Sequence, residues 1–321
     1  MNGERVAPVI VSVIIAAYDA EAFVGAAVRS ALDQTLPDIE VIVIDDGSRD
    51  RTAPVAAAAA MGDPRFRLFT QPVNAGVAAA RNVGLRAARG RWIAVLDADD
   101  TFAPNRLERL IASAEALGAD LLADNITLLY PDARTATGFA IGPRDARRPL
   151  DARRFIALDR PGLEPLPTGY MQPVMRRAFL ERCDLRYPED VACGEDFDLY
   201  VRCLLRGARL FIVPESYYRA LVRPGSLSRT HQEQNMATIM HSNATLIPEA
   251  LRLGDRGAAR MLARRARDLR SYAEYSRLSD ALHRRRFVDA ARVFCRLGAR
   301  AYTWRRFGMA ARRRISGGNA A

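Results

Sequence analysis

Trp92-Ile93-Ala94-Val95-Leu96-Asp97-Ala98-Asp99-Asp100 is a run of five apolar residues that ends in three carboxylates within four positions. A buried strand delivers its side chains to fixed places, so acids at its end are held side by side. Their repulsion is costly unless a cation neutralises it, and an all-oxygen ligand set favours Mg²⁺ or Mn²⁺, ions that also bridge phosphates. One reading is therefore a nucleoside-diphosphate site. The other is an acidic turn leading into a helix that begins at Pro104.

Outward from this stretch the same rhythm recurs. Residues 9–17 read as a fully buried strand, and 21–34 carry Phe23, Val24, Ala27, Val28, Ala31 and Leu32 at helical spacing. Residues 39–44 form a second apolar run, closed by Asp45-Asp46-Gly47-Ser48. A helix over 51–61, a short strand over 66–70, a helix over 77–88 and the strand over 91–96 follow. This alternation predicts an α/β fold, a mostly parallel sheet with helices on both faces and ligand bound beyond the carboxyl ends of the strands. Asp19, Asp45, Asp46, Asp97 and Asp99 fall at or just past such ends, so one crevice is expected to collect them. A helix over 104–118 and a strand over 120–129 lead into 131–167, whose Pro, Gly, Arg and Asp content reads as an irregular connection. Order resumes over 175–183. Gly194-Glu195-Asp196 opens a helix over 197–206, and a strand follows over 209–213. From about residue 235 the pattern is helical, which divides the chain into residues 1–235 and a basic helical extension, 236–321.

A chain of 321 residues, 49 % apolar, can bury one substantial core plus an appendage. All 48 basic residues are arginine, so a phosphate loop ending in Gly-Lys and Schiff-base chemistry are excluded. The net charge of +11 is concentrated in residues 256–321, where 18 Arg face 4 acids; the 255 residues before them sum to −3. Such a tail suits an anionic lipid surface, nucleic acid or a set of solvated helix faces. Cys183, Cys193, Cys203 and Cys295 lack the paired spacing of a zinc site and read as free thiols in a reducing compartment. The apolar stretch over 6–17 is too short to span a bilayer. The expected location is the cytoplasm, free or peripheral on the inner face of the membrane.

The turn after the first strand, Ala17-Tyr18-Asp19-Ala20-Glu21-Ala22, lacks the glycines of a dinucleotide site. Tyr18 beside an acid can instead stack on a base, or simply belong to the core. One carboxylate of Asp45-Asp46 can accept from a ribose hydroxyl or a base imide, although Asp-Gly and Ser equally suit a turn and a helix cap. Asn74-Ala75-Gly76, followed by Arg81-Asn82, offers a close backbone approach and an arginine for phosphate.

In this order and spacing, Val11-Ser12-Val13-Ile14-Ile15-Ala16-Ala17-Tyr18, Val43-Ile44-Asp45-Asp46-Gly47-Ser48, the segment from Asn74 to Asn82, and Leu96-Asp97-Ala98-Asp99-Asp100 resemble the motifs of a family 2 glycosyltransferase with the GT-A fold. The likeness covers residues 9–130 and returns at Gly194-Glu195-Asp196. The whole chain is similar to bacterial exopolysaccharide enzymes of the succinoglycan glucosyltransferase type. The resemblance implies inverting transfer of a sugar, glucose as first expectation, from a nucleotide sugar, commonly a UDP-sugar, with Mn²⁺ or Mg²⁺, to a saccharide acceptor carried on lipid. By position it implies Ala17, Tyr18 and Glu21 at the nucleoside and Asp46 on uracil or ribose. Gly76 and Arg81 would lie along the donor, Asp97 on its ribose and sugar side, and Asp99 at the metal. Asp196 is implied as the base for the acceptor hydroxyl, beside Glu195, which also suits the positive end of a helix. Arg219, Arg223 and Arg229 flank Pro224-Gly225-Ser226-Leu227-Ser228, similar to a loop closing over the donor, and His231 is the nearest candidate for a further metal ligand. Where relatives carry Asn after the Tyr, this chain has Asp19. Its charge is unfavourable beside a diphosphate unless it turns away, so it is left out of the site.

Two other readings compete. A sugar nucleotidyltransferase needs a glycine-rich loop bearing Lys or Arg after the first strand, and none is there. A non-catalytic binding module driven by the arginine tail stays open, though nucleic acid is not the expected partner. In residues 256–270, Ala258, Met261, Leu262, Ala266 and Leu269 share a face with Arg260, Arg264 and Arg267 toward the flanks and back, which suits either an anionic bilayer or packing on the catalytic part.

Overall fold

The structure, a computed structural model, describes residues 8–139, 148–159, 166–223 and 232–295, with side chains of the last segment from residue 236. Strand and helix alternate through β1 (Val11–Ala17), α1 (Val24–Leu32), β2 (Ile39–Asp45), α2 (Thr52–Ala60), β3 (Phe66–Thr70), α3 (Val77–Ala87) and β4 (Trp92–Val95). Then come β5 (Thr101–Phe102), α4 (Arg106–Leu117), β6 (Leu121–Leu129), β7 (Thr135–Thr137), α5 (Ala152–Leu158), β8 (Val174–Arg176), α6 (Arg177–Arg182), α7 (Glu195–Leu205) and β9 (Leu210–Leu221). Helices α8 (Gln232–Arg252), α9 (Arg256–His283) and α10 (Phe287–Phe294) complete the described chain.

The strands form one sheet in the order β3-β2-β1-β4-β8-β6-β9-β5, with β7 beside β6. From β3 to β4 all pairs are parallel, and the buried residues of β1 and β2 reflect cover on both faces. β6 and β9 also pair in parallel and point the same way as these four, so the expectation of a mostly parallel sheet holds for six strands, with β5, β7 and β8 running against them. β8 runs against both β4 and β6, because the chain enters it from the carboxyl end of the sheet after the β6–β7 hairpin. Alternation in the sequence carries no sign of that reversal. The connection over 131–167 also holds more order than its composition suggests. Asp151 caps α5 by accepting from the Arg154 N–H, and Phe155 and Ile156 are buried.

A register break between β6 and β9 at Asp124 is filled by that residue's own side chain. Its carboxylate accepts the N–H groups of Tyr217 and Tyr218, both at 2.9 Å, and pairs with the fully buried Arg106 guanidinium at 2.8 Å. The Arg106 guanidinium also lies 4.3 Å from the Phe102 ring centre. This arrangement fixes Tyr218, whose hydroxyl accepts the N–H of Asp97 at 3.2 Å.

The extension is joined to the same core. Leu246, Ala250, Ala258, Ala259 and Leu262 pack into the apolar cluster that includes the sheet. Arg265, on the same α9 face, is buried with its guanidinium on Asp159 at 2.6 Å and 3.7 Å above the Phe197 ring. The apolar face of residues 256–270 is thus turned inward.

Candidate functional site

The parallel strands end in line: Ala17 is opposite Asp45, and Leu96 donates its N–H to Ile14. Asp97 therefore emerges beside the ends of β1 and β2. Helix α3 starts at the same edge, and its fifth residue, Arg81, is 3 % exposed. Three carboxylates converge on it. Asp97 accepts at 2.8 Å, Glu195 at 2.8 Å and Asp196 at 3.1 Å. The last two sit on the first turn of α7, opened by Gly194 at φ +89°, where a Cβ would also come 3.2 Å from Ile239. Glu195 is thus a partner of Arg81 as well as an acid at a helix start. Asp97, 38 % exposed, is the open side of the cluster.

One cation among three acids leaves the group short of positive charge. Burial is the largest influence on Asp196; Arg81 opposes it, Glu195 and Asp97 reinforce it, and the carboxyl is pushed up to about 7. Burial raises Glu195 as well, again against the pull of Arg81. The Tyr200 hydroxyl, one helical turn after Asp196, lies 3.3 Å from its carboxylate. The Arg81 guanidinium stands over the Tyr187 ring, and Asn82 holds the Tyr187 backbone through both its N–H and C=O at 2.9 Å. The buried Tyr187 hydroxyl and Gln172 Oε1 have no hydrogen-bond partner among the described residues, while Gln172 Nε2 points at Asp97 from 3.4 Å.

Two residues further, Asp99 is bound by Arg223 Nε and Nη2 at 2.9 and 2.8 Å, and that guanidinium rests 4.6 Å from the Phe23 ring centre. Burial and then the charge of Asp97 raise Asp99, with Arg223 opposing. Asp100 is driven up more strongly by burial and by both neighbouring acids, and it accepts the Leu221 N–H at 2.8 Å. The acids that open the sequence reading are therefore held together, with Arg223 on the middle one. Among the described residues no three His, Cys, Asp or Glu side chains form a metal cage.

The strand-end loops are tied by their acids. Asp46 accepts from Gln71 and from the N–H groups of Ala75 and Gly76, the latter two at 2.9 and 2.8 Å, so it braces the loop before α3. Gly76 turns there at φ +93°. Asp19 is turned away onto Arg49 at 2.6 Å, so the single crevice expected to collect five acids does not contain it. Glu21 accepts the Arg51 N–H at 3.0 Å, and Tyr18 is 39 % exposed with Arg49 above its ring. Glu21 and Asp19 thus pin the first loop to the second. Arg229 and His231 lie outside the described residues.

The model of glycosyl transferase family 2 matches residues 12–181. The succinoglycan biosynthesis protein ExoO of Rhizobium meliloti (strain 1021) is 37 % identical over 284 residues, 88 % of this chain and 80 % of that one. The chain belongs to glycosyl transferase family 2. It is similar over 121 residues, at 37 % identity, to the Escherichia coli UDP-Glc:alpha-D-GlcNAc-diphosphoundecaprenol beta-1,3-glucosyltransferase WfgD, covering 38 % of this chain and 44 % of that one. The structure of S. aureus TarS 1-349 in complex with UDP-GlcNAc superposes with a TM-score of 0.62 at 22 % identity, covering 81 % of this chain and 72 % of that one. The fold is accordingly GT-A, with an arginine-rich helical extension, and the family 2 chain is a glycosyltransferase that uses a nucleotide sugar.

Several residues of the cluster have no signal in the motifs. Tyr200 was reachable, since i and i+4 positions on α7 share a face with Asp196. Tyr187 and Gln172 come from loops far along the chain, and only the tertiary structure brings them to Arg81 and Asp97.

Proposed function

We propose that this family 2 enzyme transfers a sugar, with inversion and with the help of a divalent cation, from a UDP-sugar to a lipid-linked saccharide, UDP-glucose being the first donor to test. The observation that carries the reading is the convergence of Asp97, Glu195 and Asp196 on one buried guanidinium at the carboxyl edge of the parallel strands. The names of ExoO and WfgD support the polysaccharide and lipid-linked acceptor. On this reading residues 1–235 carry the chemistry and 236–321 form the extension.

Asp196 is the base. A carboxyl pushed up to about 7 can accept the acceptor hydroxyl proton near neutrality, as the oxygen attacks the anomeric carbon and the diphosphate departs from the opposite face. Arg81 holds Asp196 and Glu195 in place, and Tyr200 steadies the same carboxylate. Tyr187 Oη and Gln172 Oε1, buried and without a partner among the described residues, suit sugar hydroxyls. Ala17, Tyr18 and Glu21 flank the nucleoside, with Asp46 and Gly76 shaping the loop against it. Arg223 is placed for the leaving diphosphate, as is Arg229 by its position in the sequence.

Asp99 is the residue we assign to the cation, beside Asp97. The fit rests on charge: Asp97, Asp99 and Asp100 outnumber Arg223, and Asp99 and Asp100 are raised by burial first and then by the neighbouring acids. An all-oxygen set suits Mg²⁺ or Mn²⁺, and the ion, when bound, supplies neutralisation for the departing diphosphate. A panel of nucleotide sugars titrated in the presence of Mn²⁺ tests the reading. UDP-sugars should bind and be slowly consumed; no binding by any member would overturn it.

A further inference from the structure

Helices α7 and α8 run side by side in the same direction. Gly194 faces Ile239, Asp198 accepts from the Ser242 hydroxyl at 2.7 Å, and Arg202 pairs with Glu249. Helix α9 runs back along α8, with Asn243 Nδ2 donating to Leu262 at 2.9 Å and Arg265 reaching Asn243 Oδ1 at 3.3 Å. The level of Glu195 and Asp196 therefore falls near Leu269 on α9. The helix continues to His283, about 20 Å further at 1.5 Å per residue. Its far end projects past the catalytic acids on the side where α7 begins.

That end is a tight corner. The Arg286 N–H donates to Ala281 at 2.7 Å and the Arg285 N–H to Leu282 at 3.1 Å, with Arg285 at φ +56°, the left-handed position that most helices give to glycine. Leu278, Ala281 and Ala290 close the inside of the α9–α10 hairpin with Val293 against them. Outside, Leu282, Phe287, Val288 and Phe294 are exposed, Phe287 and Val288 by two thirds. Arg284, Arg285, Arg286 and Arg292 rim this patch. Arg284 and Arg286 share one acid, Asp280, and Arg292 lies 3.8 Å from Asp289, so four arginines face two acids and the rim stays positive; in sequence, 296–321 hold seven further arginines and no acid.

We propose that the α9–α10 corner docks into the headgroup layer of an anionic lipid bilayer, with Leu282, Phe287 and Val288 at the acyl boundary and the arginines on lipid phosphates. Exposed aromatic and aliphatic residues ringed by arginine are the chemistry of an interfacial helix. A second copy of the chain is a poorer occupant, since it would press two positive rims together, whereas an anionic leaflet neutralises them. The docking element is thus distinct from the 256–270 face, which the core already covers. The proposal deepens the lipid-linked acceptor reading by turning the acceptor side of the cluster toward the bilayer, but its test does not depend on that reading.

The full chain is sedimented with vesicles of phosphatidylcholine alone or with phosphatidylglycerol added, and donor hydrolysis is followed in parallel. Binding should require phosphatidylglycerol and weaken with salt. The double variant Phe287→Ser, Val288→Ser should bind at least about tenfold more weakly, as should Arg285→Gly with Arg292→Gln, both with donor hydrolysis unchanged. Vesicle binding without consumption of the UDP-sugar supplied would support docking while sinking the UDP-sugar reading of the site. Equal binding to both vesicle types, or undiminished binding by the serine variant, would overturn the proposal. So would a serine variant that shifts from dimer to monomer in sedimentation velocity while still binding vesicles.

Discussion

Replacing Arg81 by Met removes the one cation that Asp97, Glu195 and Asp196 share. Removing one partner of a buried pair costs about 3–5 kcal/mol, and with three acids left behind the upper end applies at alkaline pH. The loss depends on pH with a definite sign. In the parent, Asp196 is pushed up to about 7 from 3.8, so between these values the folded state holds a proton the unfolded state lacks. Its contribution to stability is greatest at low pH and declines as pH rises toward 7. Without Arg81 the influence that lowers Asp196 and Glu195 disappears, both move higher, and the decline extends above 7. Each additional retained proton steepens it by about 1.4 kcal/mol per pH unit. Urea unfolding followed by circular dichroism at about pH 6 and about pH 8 should show the gap between parent and variant widening by about 2–3 kcal/mol. A gap equal at both pH values, or one below about 1 kcal/mol at the higher, would refute the shared-cation account. Arg81→Lys should recover part of the stability without the three-way geometry, since an ammonium is a point charge.

Three further outcomes concern the site and the sheet that supports it. Asp196→Asn should bind donor nearly normally yet turn over about 10²–10⁴-fold more slowly, and in the parent the rate should fall as pH drops below about 7 and the carboxyl protonates; near-normal transfer by this variant, with a collapse in Glu195→Gln, would move the base one residue earlier. Asp99→Asn should keep the fold and lose most of the Mn²⁺-dependent gain in UDP affinity, and an unchanged gain removes Asp99 from the cation. Asp124→Ala strands the buried Arg106 and opens the N–H groups of Tyr217 and Tyr218, so urea unfolding should show a loss of about 3–5 kcal/mol; a loss below about 1 kcal/mol contradicts the plug.

Much of this was legible because strands buried on both faces leave continuous apolar runs: Val11 to Ala17 and Ile39 to Ile44 declare themselves, and the acids after them mark the carboxyl edge. Charge alone leaves Asp19 out of the site, though its strand-end position places it in the crevice, and Arg49 supplies the partner that turns it away. What escaped reading was long-range. Nothing local says that Arg81 meets Glu195, 114 positions away, or that Tyr187 slides beneath it. α5 was hidden because two buried residues, Phe155 and Ile156, sit in a stretch of Pro, Arg and Asp. Arg265 was hidden by polarity itself, since an arginine on a basic helix reads as solvated until Asp159 and Phe197 are seen around it.

The central claim is that one carboxylate, Asp196, activates an oxygen on the face opposite a departing UDP. Proton NMR of the first sugar released when the enzyme hydrolyses an α-linked UDP-sugar reads that face directly. The account predicts the β anomer ahead of mutarotation, with the signal suppressed in Asp196→Asn. Initial release of the α anomer, or release at the parent rate by that variant, would contradict it.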